Sequence, residues 1–281
     1  GGEPFLYPQL ESLLRHLRKK GKRVFVSTNG TLLTETWAKK IVQEGLFEKM
    51  DISLHGPKEV HDRVSGVEGA FQKIREGVLF LQEWKKRLGE KRPQIGLACT
   101  IHSQNIPFLK ELAHLAREWS VDSLTFGNVA FTSHQNIEAH KAFSQRENLK
   151  EDFSMSQLVL GAPEHGLTKE DVAVYIQTLQ EIQDTFGESF SVLPVPPYRE
   201  EEIWRHYFDF DWVYRRECRY PWTTLRITPS GKVIPCLGVI VGDIQEEKVD
   251  RIWNNSAFRS FRKKLYRAKL FPGCFRCCKL K

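Results

Sequence analysis

Met50-Asp51-Ile52-Ser53-Leu54-His55-Gly56-Pro57 alternates apolar and polar side chains, then stops at a glycine and a proline. Alternation at period two reads as a short strand. Asp51, Ser53 and His55 share one face, Ile52 and Leu54 the other. The pattern repeats on both sides. Upstream, Val24-Phe25-Val26-Ser27 reads as a buried strand that ends at Thr28-Asn29-Gly30. Before it, Leu10, Leu13, Leu14 and Leu17 mark a helix, with Arg18, Lys19 and Lys20 in its last turn and Gly21 after it. Between the two strands, Thr34 is placed to cap a helix through about Glu44, and Gly45 stops it. Downstream, Ala70 to Leu88 reads as a helix, Gln94 to Ile101 as a strand, Ile106 to Trp119 as a helix and Asp122 to Phe126 as a strand. In the later strand Leu97, Cys99 and Ile101 share a face, so Cys99 reads as a small core residue.

Strand and helix thus alternate four times within about 130 residues. Such spacing fits right-handed crossovers and a parallel sheet, either a doubly wound sheet or an open β/α barrel. In both, function sits at the C-terminal ends of the strands. Those ends carry Thr28-Asn29-Gly30, His55-Gly56 and Thr100-Ile101-His102. Residues 127–166 lose the rhythm and read as an irregular connection or insertion. Thr168 then caps a helix with Asp171 at the capping-box position. Leu193-Pro194-Val195-Pro196-Pro197 breaks the chain and marks a linker edge. Glu200 to Arg216 reads as helical, and Asp209-Phe210-Asp211-Trp212 within it either lines a cavity or is a solvated face. A hairpin pairs Thr224 to Ile227 with Lys232 to Ile234, turning at Pro229-Ser230-Gly231, and Ser256 is placed to cap a last helix.

The cysteines are concentrated late. Of six in 281 residues, five lie between Cys218 and Cys278, and the chain closes on Cys274-Phe275-Arg276-Cys277-Cys278 followed by Lys279, Leu280 and Lys281. That is too few for a disulfide scaffold in a chain this long. Four thiolates from Cys218, Cys236, Cys274 and Cys277 suit a soft metal, either zinc or an iron–sulfur cluster. Cys278 is a spare thiol or the true fourth ligand. Hydrophobic content of 41% and charge of 27% describe a globular protein, and no apolar run reaches the length of a membrane span. The net charge of +7 owes much to Arg259, Arg262, Lys263, Lys264, Arg267, Lys269 and Arg276. These read as a solvated helix face; no nucleic-acid partner is expected. The sequence holds no Walker loop, no Gly-x-Gly-x2-Gly after a strand and no Gly-x-Ser-x-Gly elbow.

Taken together these residues resemble the radical S-adenosylmethionine (radical SAM) enzymes. Gly1-Gly2-Glu3-Pro4 is similar to the family's SAM-binding motif, Thr28-Asn29-Gly30 to the end of its third strand, and Asp51 to Pro57 to its fourth, where many members have Asp in place of His55. Cys218-x12-Gly231-x4-Cys236 with Cys274-x2-Cys277 resembles the SPASM/twitch domains, which hold auxiliary [4Fe–4S] clusters. The resemblance implies an α/β fold: an open, partial TIM-like β/α barrel of parallel strands plus a small C-terminal β-hairpin/helix domain. It implies a barrel over 1–130, a connecting helical region over 131–215 and the cluster domain over 216–281.

It also implies the cofactors, S-adenosyl-L-methionine and an auxiliary [4Fe–4S] cluster. Gly1, Gly2, Glu3, Pro4, Thr28, Asn29, Ser53 and His55 would bind SAM; Cys218, Cys236, Cys274 and Cys277 would hold the cluster. The family's Cys-x3-Cys-x2-Cys loop lies upstream of the Gly-Gly-Glu-Pro position, and no such spacing occurs here. The sequence is therefore expected to begin inside the barrel, with a second [4Fe–4S] cluster held by preceding residues, and not to cleave SAM as given. The implied activity is that of an oxidoreductase or maturase that makes a 5′-deoxyadenosyl radical to abstract hydrogen from a peptide or small molecule. A flavodoxin- or ferredoxin-type electron donor, a cytoplasmic location and no membrane partner follow from the same resemblance. The competing reading is a zinc-stabilised α/β binding module with a basic C-terminal surface.

Overall fold

A computed structural model describes residues 2–129, 131–152, 166–236, 238–275 and 277. Gly1 and Cys278 lie outside the described residues. The chain forms two compact units, each built from two stretches: 1–128 with 168–197, and 129–167 with 198–281. Residues 131–215 are thus divided between the units instead of forming one connecting region.

The first unit is a five-stranded parallel sheet in the order β1 (Phe25–Thr28), β2 (Lys49–Ser53), β3 (Gln94–Thr100), β4 (Ser123–Gly127), β5 (Ser191–Val195). Sequential order without reversal has no topological switch point, so it is barrel-like winding and not the doubly wound alternative. The register aligns Thr28, Ile52, Leu97, Leu124 and Val192 across the sheet. Ile52, Leu97 and Leu124 in that row are fully buried, as alternation on each strand requires. Cys99 is buried on the same face of β3 as Leu97.

Helices α1 (Leu10–Lys19), α2 (Glu35–Glu44), α3 (Lys58–Ser65), α4 (Ala70–Leu88), α5 (Leu109–Glu118) and α7 (Lys169–Phe186) belong to this unit. Thr34 accepts the Trp37 amide at the start of α2, and Gly45 takes the left-handed conformation at its end. Thr168 and Asp171 form the expected capping box on α7. Two expectations change here. The stretch Leu193 to Pro197 is not simply a linker edge: Ser191–Val195 is the fifth strand, at the sheet edge, where proline's missing donor is tolerated. Helix α3 was not anticipated; Pro57 opens it and Gly66, at φ 68°, closes it.

In the second unit, the stretch expected to be irregular carries α6 (His134–Arg146), capped by Ser133; residues 153–165 of it lie outside the described residues. Helix α8 (Glu200–Phe208) stops eight residues short of Arg216. The hairpin forms as β6 (Arg226–Ile227) and β7 (Lys232–Ile234), and β8 (Gly242–Asp243) adds a third antiparallel strand. Gly231 turns the hairpin at φ 81°. Helices α9 (Val249–Trp253) and α10 (Ser256–Ala268) follow. Asn255, not Ser256, caps α10, accepting the Phe258 amide at 2.8 Å. Val233, Ile252, Phe258, Phe261 and Phe271 form the core, and Cys236 and Cys274 are buried within it.

Candidate functional site

In the first unit, Gly2, Glu3, Ser27, Thr28, Asn29 and Ser53 line one pocket of about 270 Å³ at the C-terminal ends of β1 and β2. Sequence reasoning placed five of these six there and missed Ser27. Glu3 organises the pocket. Its Oε1 accepts the Thr28 hydroxyl at 2.7 Å and the Phe5 amide at 3.1 Å, while Oε2 accepts the Asn29 amide at 2.7 Å. The carboxylate therefore ties the Gly2-Glu3-Pro4 segment to the end of β1. Pro4 opens the short 3₁₀ turn Pro4–Leu6, where its missing N–H costs nothing. A Cβ built on Gly2 meets no atom within 4 Å, so the glycine leaves open space in the pocket wall.

Gly30 has a different reason to be glycine. Its φ is 74°, and a Cβ there would sit 2.7 Å from Ile52 Cγ2 and 3.1 Å from Ile74 Cγ1. The third-strand motif is thus set partly by packing. Gly30→Ala is expected to cost about 2–3 kcal/mol, from strained backbone and an overpacked Ile52. A urea titration of both proteins measures it; a loss below about 0.5 kcal/mol would contradict the close packing.

His55 does not line the pocket. It joins His61 and His102, with ring centroids 5.6 and 6.3 Å away. The Thr100 amide donates to His55 Nδ1 at 3.3 Å, and the His55 amide donates to His61 Nδ1 at 3.1 Å. A lone pair is therefore needed at Nδ1 of both rings, which puts the proton of each neutral ring on Nε2. Such a ring is a donor at Nε2 and not a metal ligand there. Burial, then the neighbouring His61 and His102, lowers the His55 pKa to about 4. Burial also lowers those of His61 and His102. The unfolded chain binds protons below pH about 6.5 while the folded one does not, so stability falls as pH drops from there towards 4. Allowing for partial exposure, His55 alone is expected to contribute about 1 kcal/mol of loss between pH 7 and 5. Comparing the chain with His55→Asn by urea unfolding at both pH values checks this. Helix α3 supplies His61, and its only sequence signals were Pro57 and Gly66.

In the second unit Cys236 and Cys274 are buried in one apolar cluster, and Cys218 packs against it. Burial pushes the Cys274 thiol well above the ordinary range, and the charges of Cys236, Cys218 and Glu151 push it further. Burial raises Cys218 as well. The Cys277 amide donates to the Cys274 carbonyl at 3.1 Å, placing the fourth cysteine one turn away. Bare thiolates are disfavoured in such an apolar shell, and metal coordination is what deprotonates them. Among the described residues no three His, Cys, Asp or Glu side chains are grouped as a single-ion site. Four cysteine thiolates are the donor set of a four-iron cluster as well as of zinc, so the residue types present fit a cluster.

Asp211 and Trp212 line a cleft of about 650 Å³ in this unit, with Arg205, Arg216, Lys269 and Phe275. Of the two readings of Asp209 to Trp212, cavity lining is the one that applies to Asp211 and Trp212. The basic C-terminal residues are also not all solvated. Arg262 Nε donates to the Pro221 carbonyl at 2.9 Å, and its guanidinium lies 3.9 Å from the centre of the Phe258 ring. Lys264 bonds the Glu147 carbonyl. These two cations hold α10 against its own unit.

Residues 1–85 match the family model of the radical SAM superfamily, and residues 218–278 match SPASM, an iron–sulfur cluster-binding domain. The chain belongs to the radical SAM enzymes that carry a SPASM domain. The Gly2–Ser53 pocket lies inside the first match and all four predicted cluster ligands inside the second. The two matches imply SAM and an iron–sulfur cluster as cofactors. The chain is 26% identical over 254 residues to an Fe-coproporphyrin III synthase of Methanosarcina barkeri, covering 80% of this chain and 60% of that protein. It is 28% identical over 276 residues to an AdoMet-dependent heme synthase of Oleidesulfovibrio alaskensis, covering 93% and 63%. The radical SAM chain thus spans about three-fifths of the length of these relatives. Its fold is similar to that of Streptococcus suis SuiB bound to precursor peptide SuiA, with a TM-score of 0.61 at 13% identity, covering 98% of this chain and 59% of that one. Among the described residues no helix is long and apolar enough to cross a membrane.

Proposed function

We propose that this radical SAM chain binds the methionyl end of SAM in the Glu3 pocket and an auxiliary [4Fe–4S] cluster at Cys218, Cys236, Cys274 and Cys277. The protein it represents would be an oxidoreductase acting on a small molecule. The observation that carries the first part is the pocket itself. Glu3 Oε2 keeps a lone pair after accepting the Asn29 amide and is suited to an ammonium group. Gly2 leaves room for backbone approach, and Ser53 offers a hydroxyl to the ribose or carboxylate. When bound, SAM supplies, on one-electron reduction, a 5′-deoxyadenosyl radical that abstracts hydrogen from substrate. The chain's residues would position that group. The reducing electron would come from a second [4Fe–4S] cluster and a flavodoxin- or ferredoxin-type donor in a cytoplasmic setting.

The substrate class favoured is an iron tetrapyrrole bearing carboxylate side chains, because both curated relatives named above act in that chemistry by their names and align over most of this chain. Arg216 and Lys269 beside Trp212 and Phe275 suit a flat, anionic molecule, although Asp211 also lines the cleft and Arg205 is paired with Asp209 at 3.0 Å. A peptide substrate has support from likeness of fold to the SuiB complex and from 23% identity over 267 residues, 91% of this chain, to the bacteriocin subtilosin biosynthesis protein AlbA of Bacillus subtilis.

Isothermal titration with SAM tests the pocket. The wild-type chain is expected to bind weakly, and Gly2→Val about tenfold more weakly with an unchanged circular dichroism spectrum, since a Cβ at Gly2 meets no protein atom within 4 Å. Equal binding by both proteins would place SAM elsewhere. A saturable shift of the Soret band on titrating a ferric carboxylated porphyrin supports the substrate class, and its absence beside a saturable peptide signal reverses the choice.

A further inference from the structure

Glu151 and His140 form a hydrogen-bonded pair whose side chains are wholly enclosed, with His140 Nε2 and Glu151 Oε1 3.0 Å apart. Buried ionisable pairs are costly to fold, so the position of this one matters. It lies against the cysteine shell from two directions. Glu151 forms an antiparallel bridge with Val239, whose amide donates to the Cys236 carbonyl at 3.3 Å. The flanking bonds, Asp152 amide to Gly238 carbonyl and Ile240 amide to Lys150 carbonyl, fix that register at 2.9 and 2.8 Å. On the other side, the His140 ring centre is 6.4 Å from that of Phe271, whose carbonyl accepts the Cys274 amide at 2.9 Å. The Glu151 charge acts on the Cys274 thiol itself. His140 Nδ1 is enclosed and has no hydrogen-bond partner, so the arrangement that satisfies the ring is Nε2–H donating to the carboxylate. The pair therefore brings a carboxylate's negative charge to the cysteine shell.

We propose that the His140–Glu151 pair sets the reduction potential of the auxiliary cluster, with Glu151 holding it low and His140 positioning the carboxylate. This rests on the cluster reading of the four cysteines. A fixed negative charge in a low-dielectric shell opposes addition of an electron to the cluster beside it. Sequence held no hint of this, because the pair is separated by eleven positions and reaches the cysteine shell through the bridge to Val239.

The test is a redox titration of the anaerobically reconstituted full chain, followed by electron paramagnetic resonance, with iron counted in each sample. Glu151→Gln keeps the shape and removes the charge. It is expected to retain the wild-type iron and to be reduced more easily, the reduced-to-oxidised ratio at the wild-type midpoint rising roughly tenfold. Glu151→Asp keeps the charge and is expected to stay within about twofold of wild type. Glu138→Gln, exposed on the same helix as His140, is expected to leave the midpoint unchanged. Iron retained in Glu151→Gln with an unmoved midpoint overturns the proposal. So does iron lost in Glu151→Gln but kept in Glu151→Asp, which would make Glu151 part of what holds the cluster. A wild-type chain that takes up no iron fails at the earlier step and overturns the cluster reading with it.

Discussion

Cys236→Ala is expected to abolish the iron–sulfur site of the second unit. Reconstituted iron should fall from about four per chain to near zero, and the broad visible band should disappear. Cys236 is 8% exposed and sits in the core with Val233, Ile252 and Phe258, so the loss extends beyond colour. A bound cluster stabilises the state that holds it, by mass action. The second unit of the variant is therefore expected to lose several kcal/mol relative to the loaded wild type, read as an earlier thermal transition under anaerobic conditions. Cys99→Ala is the matched control, because Cys99 is also buried but belongs to the sheet of the first unit. It should keep its iron and lose only about 1 kcal/mol from the small cavity. Iron lost from the Cys99 variant and kept in the Cys236 variant would invert the ligand assignment.

Glu3→Ala is expected to be the most damaging single change in the first unit's pocket. It removes the acceptor for three donors: the Thr28 hydroxyl and the Asn29 and Phe5 amides. Hydrogen bonds to a charged group contribute about 1.5–3 kcal/mol each when isolated, but these share one carboxylate and a partly open site. A total loss of about 2–3 kcal/mol follows, with SAM binding falling below detection because Asn29 and Gly2 lose their common anchor. Glu3→Gln is the sharper variant. Glutamine has one carbonyl oxygen, which serves either Asn29 or the Thr28 and Phe5 pair, and its amide nitrogen faces a donor at the other position. It should cost about 1–2 kcal/mol while preserving shape. If Glu3→Gln melted like wild type and bound SAM equally well, the carboxylate would not organise the site.

Much of this was legible because the deciding residues act locally. Period-two alternation in Met50 to Leu54 names the buried face without tertiary information, and Ile52 and Leu54 are fully buried as expected. Caps and glycine stops at Thr34, Gly45 and Thr168 bond within a few residues of their own helices, so sequence distance and spatial distance agree. The fifth strand was hidden by its composition. Pro194 and Pro196 punctuate a stretch that pairs on one side only, where a missing amide donor does little harm. The long-range pieces left no local trace. His61 reaches His55 through a helix turn after Pro57, and Glu151 reaches the cysteine shell through pairing with Val239. Gly30 carried a signal with a mixed cause, since its glycine answers to Ile52 and Ile74 as much as to any cofactor.

The most direct test of the account is the metal content of this chain, purified without oxygen and reconstituted with iron and sulfide. The account predicts about four irons and matching acid-labile sulfide per chain, with a broad visible absorption. About one zinc per chain, with no stable iron, would contradict it and leave Cys218, Cys236, Cys274 and Cys277 as a structural zinc knuckle.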